Sequence, residues 1–184
     1  MKIKKELVNK ILDSVVTTAS CIFGYNLEKP IEYHHNEEYP QWRSFYPCGW
    51  NEDEEKYHLG CIDEIDIKNT WWNHSPNDKE HSAKLDKLKA ETCLTVVLAH
   101  EVAHMFESKN KQCVWDMEKQ AMKYGYDIAL ALDKNSKVIF ENAPNLSVGK
   151  EPEKISYADI GKDKELCRNF QWQAYQAMIK ASNC

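Results

Sequence analysis

Apolar residues recur at helical spacing in four stretches of the chain. Residues 3–23 carry an apolar residue every third or fourth position, which predicts an amphipathic helix that ends near Gly24. Residues 113–132 and 164–181 show similar spacing, and the second of these has one apolar stripe, which predicts core packing. Residues 83–108 contain no Gly or Pro, and the run from Leu94 to Ala103 is apolar on nearly every side, so this stretch predicts a buried central helix.

A shorter, alternating pattern predicts strands between the first two helices. Residues 31–35 and 42–50 are interpreted as extended, and residues 57–67 place most of their apolar side chains on one parity. The acidic segment 51–55 provides a turn, so we expect an antiparallel meander. Residues 70–81, 135–150 and 157–161 are interpreted as loops. The expected fold class is therefore α+β, with a small antiparallel sheet packed against helices in a single domain, residues 1–184.

Composition narrows the classes of protein to consider. The net charge is −5, and because nucleic-acid binders usually carry a basic balance, no nucleic-acid partner is expected. No apolar run approaches a membrane span, and acidic and polar residues interrupt any signal-like segment near Lys4, so we expect a cytoplasmic protein without a membrane partner. The seven cysteines form no CxxC pair, and packing as reduced thiols is the simplest interpretation for all of them.

Residues 100–104 read HEVAH, an HExxH pattern on the predicted central helix. Residues four apart lie on one face of a helix, so His100 and His104 can bind one ion from the same side. Zinc favours imidazole nitrogen ligands. Glu101 is one position further around the helix, which places it beside the metal, where it can take a proton from a bound water. Two histidines and a glutamate on a buried helix would be costly without partners, and a metal site accounts for all three.

A catalytic zinc site usually has a third protein ligand. The following helix offers Asp116 and Glu118. Glu118 is preferred because Ala121, Met122 and Gly125 follow it at helical spacing and form a face that can pack tightly on the HExxH helix. Asp116 lies near the helix N-terminus, where acidic residues are common for dipole reasons alone. The sequence leaves open whether Asp116 replaces Glu118 as the ligand.

HEVAH followed by EKQA at residues 118–121 resembles the gluzincin branch of the zincin metallopeptidases, and the order of elements resembles its small members, the minigluzincins. The resemblance covers residues 85–132 well and the rest only by order of elements. It implies a zincin-like fold, zinc (Zn2+) bound by His100, His104 and Glu118, and Glu101 as general base. An edge strand within residues 57–67 would pair with an extended peptide substrate.

The resemblance also has departures and open positions. Met122 stands where many relatives have Asp or Asn. The residue that stabilises the oxyanion is unassigned, and the candidates by residue type are Tyr124, Tyr126 and Tyr157. His74 and His81 are further metal candidates by type only, His34 and His35 are interpreted as surface residues, and Trp71 and Trp72 as a core anchor or, less commonly, a substrate wall.

The expected function is that of a zinc metallopeptidase, a hydrolase that cleaves peptide bonds with metal-activated water. Its partner would be a peptide or protein substrate, and the sequence predicts no oligomeric state. The alternative is a non-proteolytic binding or regulatory protein that retains the scaffold, of antirestriction or phage accessory type, because fold does not fix function. A plain helical protein without metal is a third possibility.

Overall fold

The structure, a computed structural model, describes residues 5–24, 26, 28, 30–34, 48–51, 53, 55–61, 88, 90–106, 113–141 and 147–182. The described helices are α1 (Lys5–Phe23), α2 (Ala90–Ala103), α3 (Val114–Leu132), α4 (Lys137–Glu141), α5 (Tyr157–Lys162) and α6 (Lys164–Ser182). Short 3-10 segments cover His104–Phe106, Lys134–Ser136 and Pro152–Lys154. The four long helices thus agree with the four periodic stretches, although residues 83–87, 89, 107 and 108 of the predicted central helix lie outside the described residues.

The predicted α+β class with an antiparallel sheet is wrong. Most described residues are helical, and the strands are short: β1 (Ile31–His34), β2 (Cys48–Asn51) and β3 (Lys56–Cys61). Their order is β1-β3-β2, with β1 parallel and β2 antiparallel to β3. Alternation along a strand fixes which side chains share a face, but neither the neighbouring strand nor its direction. Because β3 lies between the other two strands, the predicted edge strand within 57–67 is also corrected.

Helix α2 is the buried centre of the helical part. Every residue from Thr92 to Ala103 is buried, which confirms the prediction made from its all-round apolar pattern. Helix α1 covers one side of α2 with its own apolar stripe, and α3 covers another. The fully buried stripe residues of α1 include Leu12, Val15 and Ala19. The full burial of a Leu or Val side chain contributes roughly 1.5–3 kcal/mol, so this layer holds α2 in place.

The register of α2 against α3 is fixed at both ends of the pair. Near the start of α2, the hydroxyl of Thr92 donates a hydrogen bond to the carboxylate of Asp133, just beyond the end of α3. At the other end, the amide of Gln120 donates to the carbonyl of Phe106 at 3.4 Å. Early residues of α2 therefore meet late residues of α3, so the two helices run antiparallel and bring HEVAH beside the first half of α3.

Two segments predicted as loops contain helix. Residues 135–150 include the end of the 3-10 segment Lys134–Ser136 and all of α4, and residues 157–161 fall within α5. Helix α5 begins with a capping box in which the Ser156 hydroxyl accepts from the Asp159 backbone, while the Asp159 carboxylate accepts from the Ser156 backbone. The sequence contains this signal as Ser156 followed three residues later by an acid. The prediction missed it because the helix that follows is only six residues long.

The predicted core packing is confirmed for the last helix and for two cysteines, but not for Cys21. The apolar stripe of α6 packs into the core, with Phe170 and Ala174 fully buried. Cys93 and Cys167 are buried as expected, and burial raises the pKa of the Cys93 thiol to about 11. Cys21 is exposed on α1, so the packing interpretation is wrong for that residue.

Within the described residues, no helix combines the length and the apolar character needed to cross a bilayer.

Candidate metal centre

The two histidines of HEVAH face each other at the end of α2. His100 lies in the last turn of α2, and His104 begins the 3-10 segment that continues it. Their Nε2 atoms are 3.3 Å apart, with ring centroids separated by 4.9 Å and ring planes at 90°. Both residues are buried, His100 at 2% and His104 at 8% exposure. The predicted i, i+4 pair is therefore formed, with the two Nε2 atoms close together.

Glu118 of α3 completes a group of three possible ligands. Its Oε2 lies 3.3 Å from His100 Nε2, and its Oε1 lies 3.6 Å from His104 Nε2. One ligand atom from each of the three residues can be chosen so that all lie within 4.8 Å of one another. Zinc bound to nitrogen and oxygen at 2.0–2.1 Å in a tetrahedron separates its ligand atoms by roughly 3.3–3.4 Å. Buried His100, His104 and Glu118 could therefore hold a metal ion.

Gly125 explains why α3 approaches α2 closely enough for this contact. A Cβ atom at position 125 would lie 2.8 Å from His100 Cα and 3.0 Å from His100 N. Gly125 stands two helical turns after Glu118, and Ala121 and Met122 between them are also buried. The predicted face of small and apolar residues on α3 is thus confirmed, and it packs the glutamate against both histidines.

The Glu118 carboxylate is stabilised in its charged form by its neighbours. Burial acts to raise its pKa, but the adjacent His104 and His100 and the side-chain amide of Gln171 act in the opposite direction, and together they leave the pKa below its ordinary value. Oε2 is fully buried, and no described group donates an aligned hydrogen bond to it. A charged oxygen in this position, 3.3 Å from an imidazole nitrogen, fits a cation held between the two.

Asp116, the alternative third ligand, lies away from this group. Its side chain is 50% exposed and forms an ion pair with Lys119 at 2.8 Å. The Cys113 thiol donates to its other oxygen at 3.2 Å. The Lys119 hydrogen bond, then that of Cys113, hold the Asp116 pKa below its usual range. Asp116 therefore belongs to the first turn of α3, and the structure brings Glu118 to the histidines instead.

Glu101 is buried at 4% exposure beside His100. It is rotated by roughly 100° around the helix from His100, as one step in an α-helix requires. It is not a member of the three-residue group. Its position agrees with a role next to a metal rather than on it, and its predicted role as general base stays a prediction.

The three tyrosines considered for the oxyanion are spread over the helical part. Tyr124 packs its ring 4.8 Å from Phe23, Tyr126 packs 4.8 Å from Phe140, and Tyr157 is 37% exposed at the start of α5. These positions assign the oxyanion role to none of the three. The side chains of His34, His35, His74, His81, Trp71 and Trp72 lie outside the described residues.

Gln171 of α6 was missed from the sequence. It is 4% exposed, and its side-chain amide is among the groups that lower the pKa of the Glu118 carboxylate. The one available signal is a polar residue between Phe170 and Trp172, both fully buried. Helical spacing shows which residues share a face, but it does not show that this face meets Glu118.

Comparison of the chain with protein-family models, curated proteins and solved structures finds no match. The chemistry of the centre therefore has to follow from its own residues and distances.

Proposed function

We propose that this protein is a zinc-dependent metallopeptidase that hydrolyses peptide bonds in a peptide or protein substrate. The observation that carries the proposal is the buried group of His100, His104 and Glu118, with ligand-atom separations of 3.3–3.6 Å. Two imidazoles and one carboxylate are a donor set found in zinc enzymes that activate water. Zinc is favoured over magnesium or calcium because those ions prefer oxygen ligands.

The proposed chemistry divides between the ion and Glu101. A zinc ion in this centre would lower the pKa of a water ligand to about 7 and polarise the scissile carbonyl. Glu101 would accept a proton from the attacking water and deliver it to the leaving amine. Glu118 contributes a negative charge, and the two histidines bind through neutral nitrogens, so the three side chains together carry one negative charge.

The position of strand β2 supports the proposal of an extended peptide substrate. The strand lies at one edge of the described sheet and contacts the 3-10 segment His104–Phe106, which begins with the second of the two histidines. Extended peptides bind to sheet edges through main-chain hydrogen bonds. A substrate added along β2 would run beside the end of α2 that carries the metal ligands.

The test compares wild type with Glu101→Gln at equal zinc content on a mixed peptide library read by mass spectrometry. The variant keeps the size of the side chain but loses the basic oxygen, so hydrolysis should fall by roughly 10²- to 10⁴-fold while zinc is retained. Glu91→Gln is the matched control, because Glu91 is exposed at the start of the same helix. Equal cleavage by wild type and Glu101→Gln would remove Glu101 from the mechanism.

A second candidate function is favoured by the low exposure of the centre. All three possible ligands are at most 8% exposed, and a closed metal site stabilises a fold without reacting with a substrate. In this alternative the protein is a non-proteolytic binding or regulatory protein that keeps its metal. Stoichiometric zinc with no cleavage of any library peptide by the wild type would favour this second function.

A further inference from the structure

The chain changes its helical geometry between the two histidines of the centre. His100 lies in α2, which ends at Ala103, whereas His104 begins the 3-10 segment that runs to Phe106. The last carbonyls of a helix have no partners within it, so a helix end opens readily unless other groups hold it. The structure nevertheless places the two Nε2 atoms 3.3 Å apart. The position of His104 therefore depends on what holds the 3-10 segment.

Helix α3 holds the main chain of this segment. The side-chain amide of Gln120 donates a hydrogen bond to the carbonyl of Phe106 at 3.4 Å. Phe106 is the last residue of the segment, so its carbonyl is among those that need a partner from outside the helix. Gln120 stands two residues after Glu118 in α3. One turn of one helix thus carries both the third candidate ligand and the donor to Phe106.

The Phe106 ring fastens the same segment to two helices. Its centroid lies 4.7 Å from that of Phe23, at the end of α1, and 5.9 Å from that of Tyr124 in α3. The rings of Phe23 and Tyr124 are 4.8 Å apart, so the three rings form one cluster. Aromatic pairs at these distances and tilts attract each other beyond the burial of their area. Gln120 and Tyr124 are four residues apart, so one face of α3 holds both the main chain and the ring of Phe106.

We propose that Phe106 is a positioning residue that holds the His104 imidazole toward the other two ligands of the metal centre. The Nε2 atom of His104 lies 3.6 Å from Glu118 Oε1, the longest of the three separations between the ligands, so an outward shift of the 3-10 segment would act first on this contact. The inference rests on the metal centre of the proposed function, but not on peptidase activity.

The test removes the two kinds of contact that hold Phe106. Phe106→Leu stays apolar but loses the ring contacts, and Gln120→Met keeps the length of the side chain but loses the donor. The zinc affinity of each variant, measured by competition with a chromophoric chelator, is expected to fall by roughly 3- to 10-fold. Phe106 is only half-buried, so Phe106→Tyr can keep the ring in place and should bind zinc as the wild type does.

Two changes of the same kind serve as matched controls. Tyr126→Leu removes a half-buried ring of α3 that packs 4.8 Å from Phe140, outside the cluster. Gln173→Met removes a half-buried glutamine of α6 that accepts a hydrogen bond from the Val148 backbone at 3.3 Å. Both controls should lower the free energy of unfolding of the metal-free protein much as the test variants do, but they should leave zinc affinity unchanged.

A second readout identifies the ligand that moves. In the zinc-loaded protein, the ring-nitrogen NMR signals of His104 should shift further in Phe106→Leu than those of His100. Wild-type affinity with unchanged His104 signals in folded Phe106→Leu would overturn the inference, and so would an equal loss of affinity in Tyr126→Leu. If Phe106→Leu does not fold, Phe106→Met takes its place with the same expected results. Failure of the wild type itself to bind zinc would instead overturn the proposed metal centre.

Discussion

At the scale of single residues, the centre depends on which acid of α3 meets the histidines. Glu118→Gln should lose stoichiometric zinc because it removes the charged ligand, and His100→Ala should do the same. Asp116→Asn should retain zinc, since Asp116 is half exposed and pairs with Lys119. Its effect on stability should stay within about 1 kcal/mol, as is usual for exposed ion pairs. Elemental analysis of each purified variant checks all three, and full zinc content in Glu118→Gln would contradict the ligand assignment.

Single residues also show where sequence reasoning succeeds. His100 and His104 were predictable because their contact is made within one helix, where spacing fixes geometry. Glu118 was predictable in part, since a face of small residues beside it indicates close helix packing, but the choice against Asp116 needed the structure. The burial of Gln171 was not predicted, because no local pattern reports which helices meet.

At the scale of elements, the distance between α2 and α3 sets the spacing of the candidate metal ligands. Gly125→Ala would place a Cβ 2.8 Å from the His100 backbone, so the two helices must separate. In an open helix, Gly→Ala stabilises by up to about 1 kcal/mol. Here the overpacking should destabilise by roughly 1–3 kcal/mol. It should also weaken zinc binding, because Glu118 moves away with α3.

Denaturant unfolding of the metal-free protein and a zinc titration check the effect of Gly125→Ala. Gly24→Ala is the control: Gly24 has φ +71° after α1 with no atom within 4 Å of an added Cβ. The left-handed conformation costs a side chain roughly 1–2 kcal/mol, so this control should lose stability yet bind zinc normally. An equally stable Gly125→Ala variant with wild-type zinc affinity would show that helix spacing does not control the centre.

Long helices could be predicted from the sequence, whereas strand pairing and short helices could not. Long helices were found because several turns of consistent spacing outweigh local exceptions. The parallel pairing of β1 with β3 was not predicted, because it depends on chain segments far apart in sequence. Short helices such as α5 carry too few periodic positions, and only the capping residues Ser156 and Asp159 indicate its start.

At the scale of the whole molecule, a metal in this centre would connect the helices that form the core. His100 lies in the last turn of α2, His104 in the 3-10 segment that continues it, and Glu118 in α3. The unfolded chain cannot assemble these ligands, so binding free energy appears as folding stability. The composition predicted a globular chain, but not that α2 and α3 meet at one charged group.

Zinc removal should therefore lower the melting temperature of the whole protein. A native-only site at 100-fold excess of free zinc over its Kd adds about 2.7 kcal/mol. For a chain of this length each kcal/mol shifts the melting temperature by roughly 2–4 °C, so loaded and chelated protein should differ by roughly 5–11 °C. Calorimetry of loaded, stripped and reloaded samples measures the shift and its reversal. The same treatment of His100→Ala should produce no shift, because that variant has lost a ligand. A melt unchanged by verified zinc removal, or an equal shift in His100→Ala, would mean that the ion does not connect these helices.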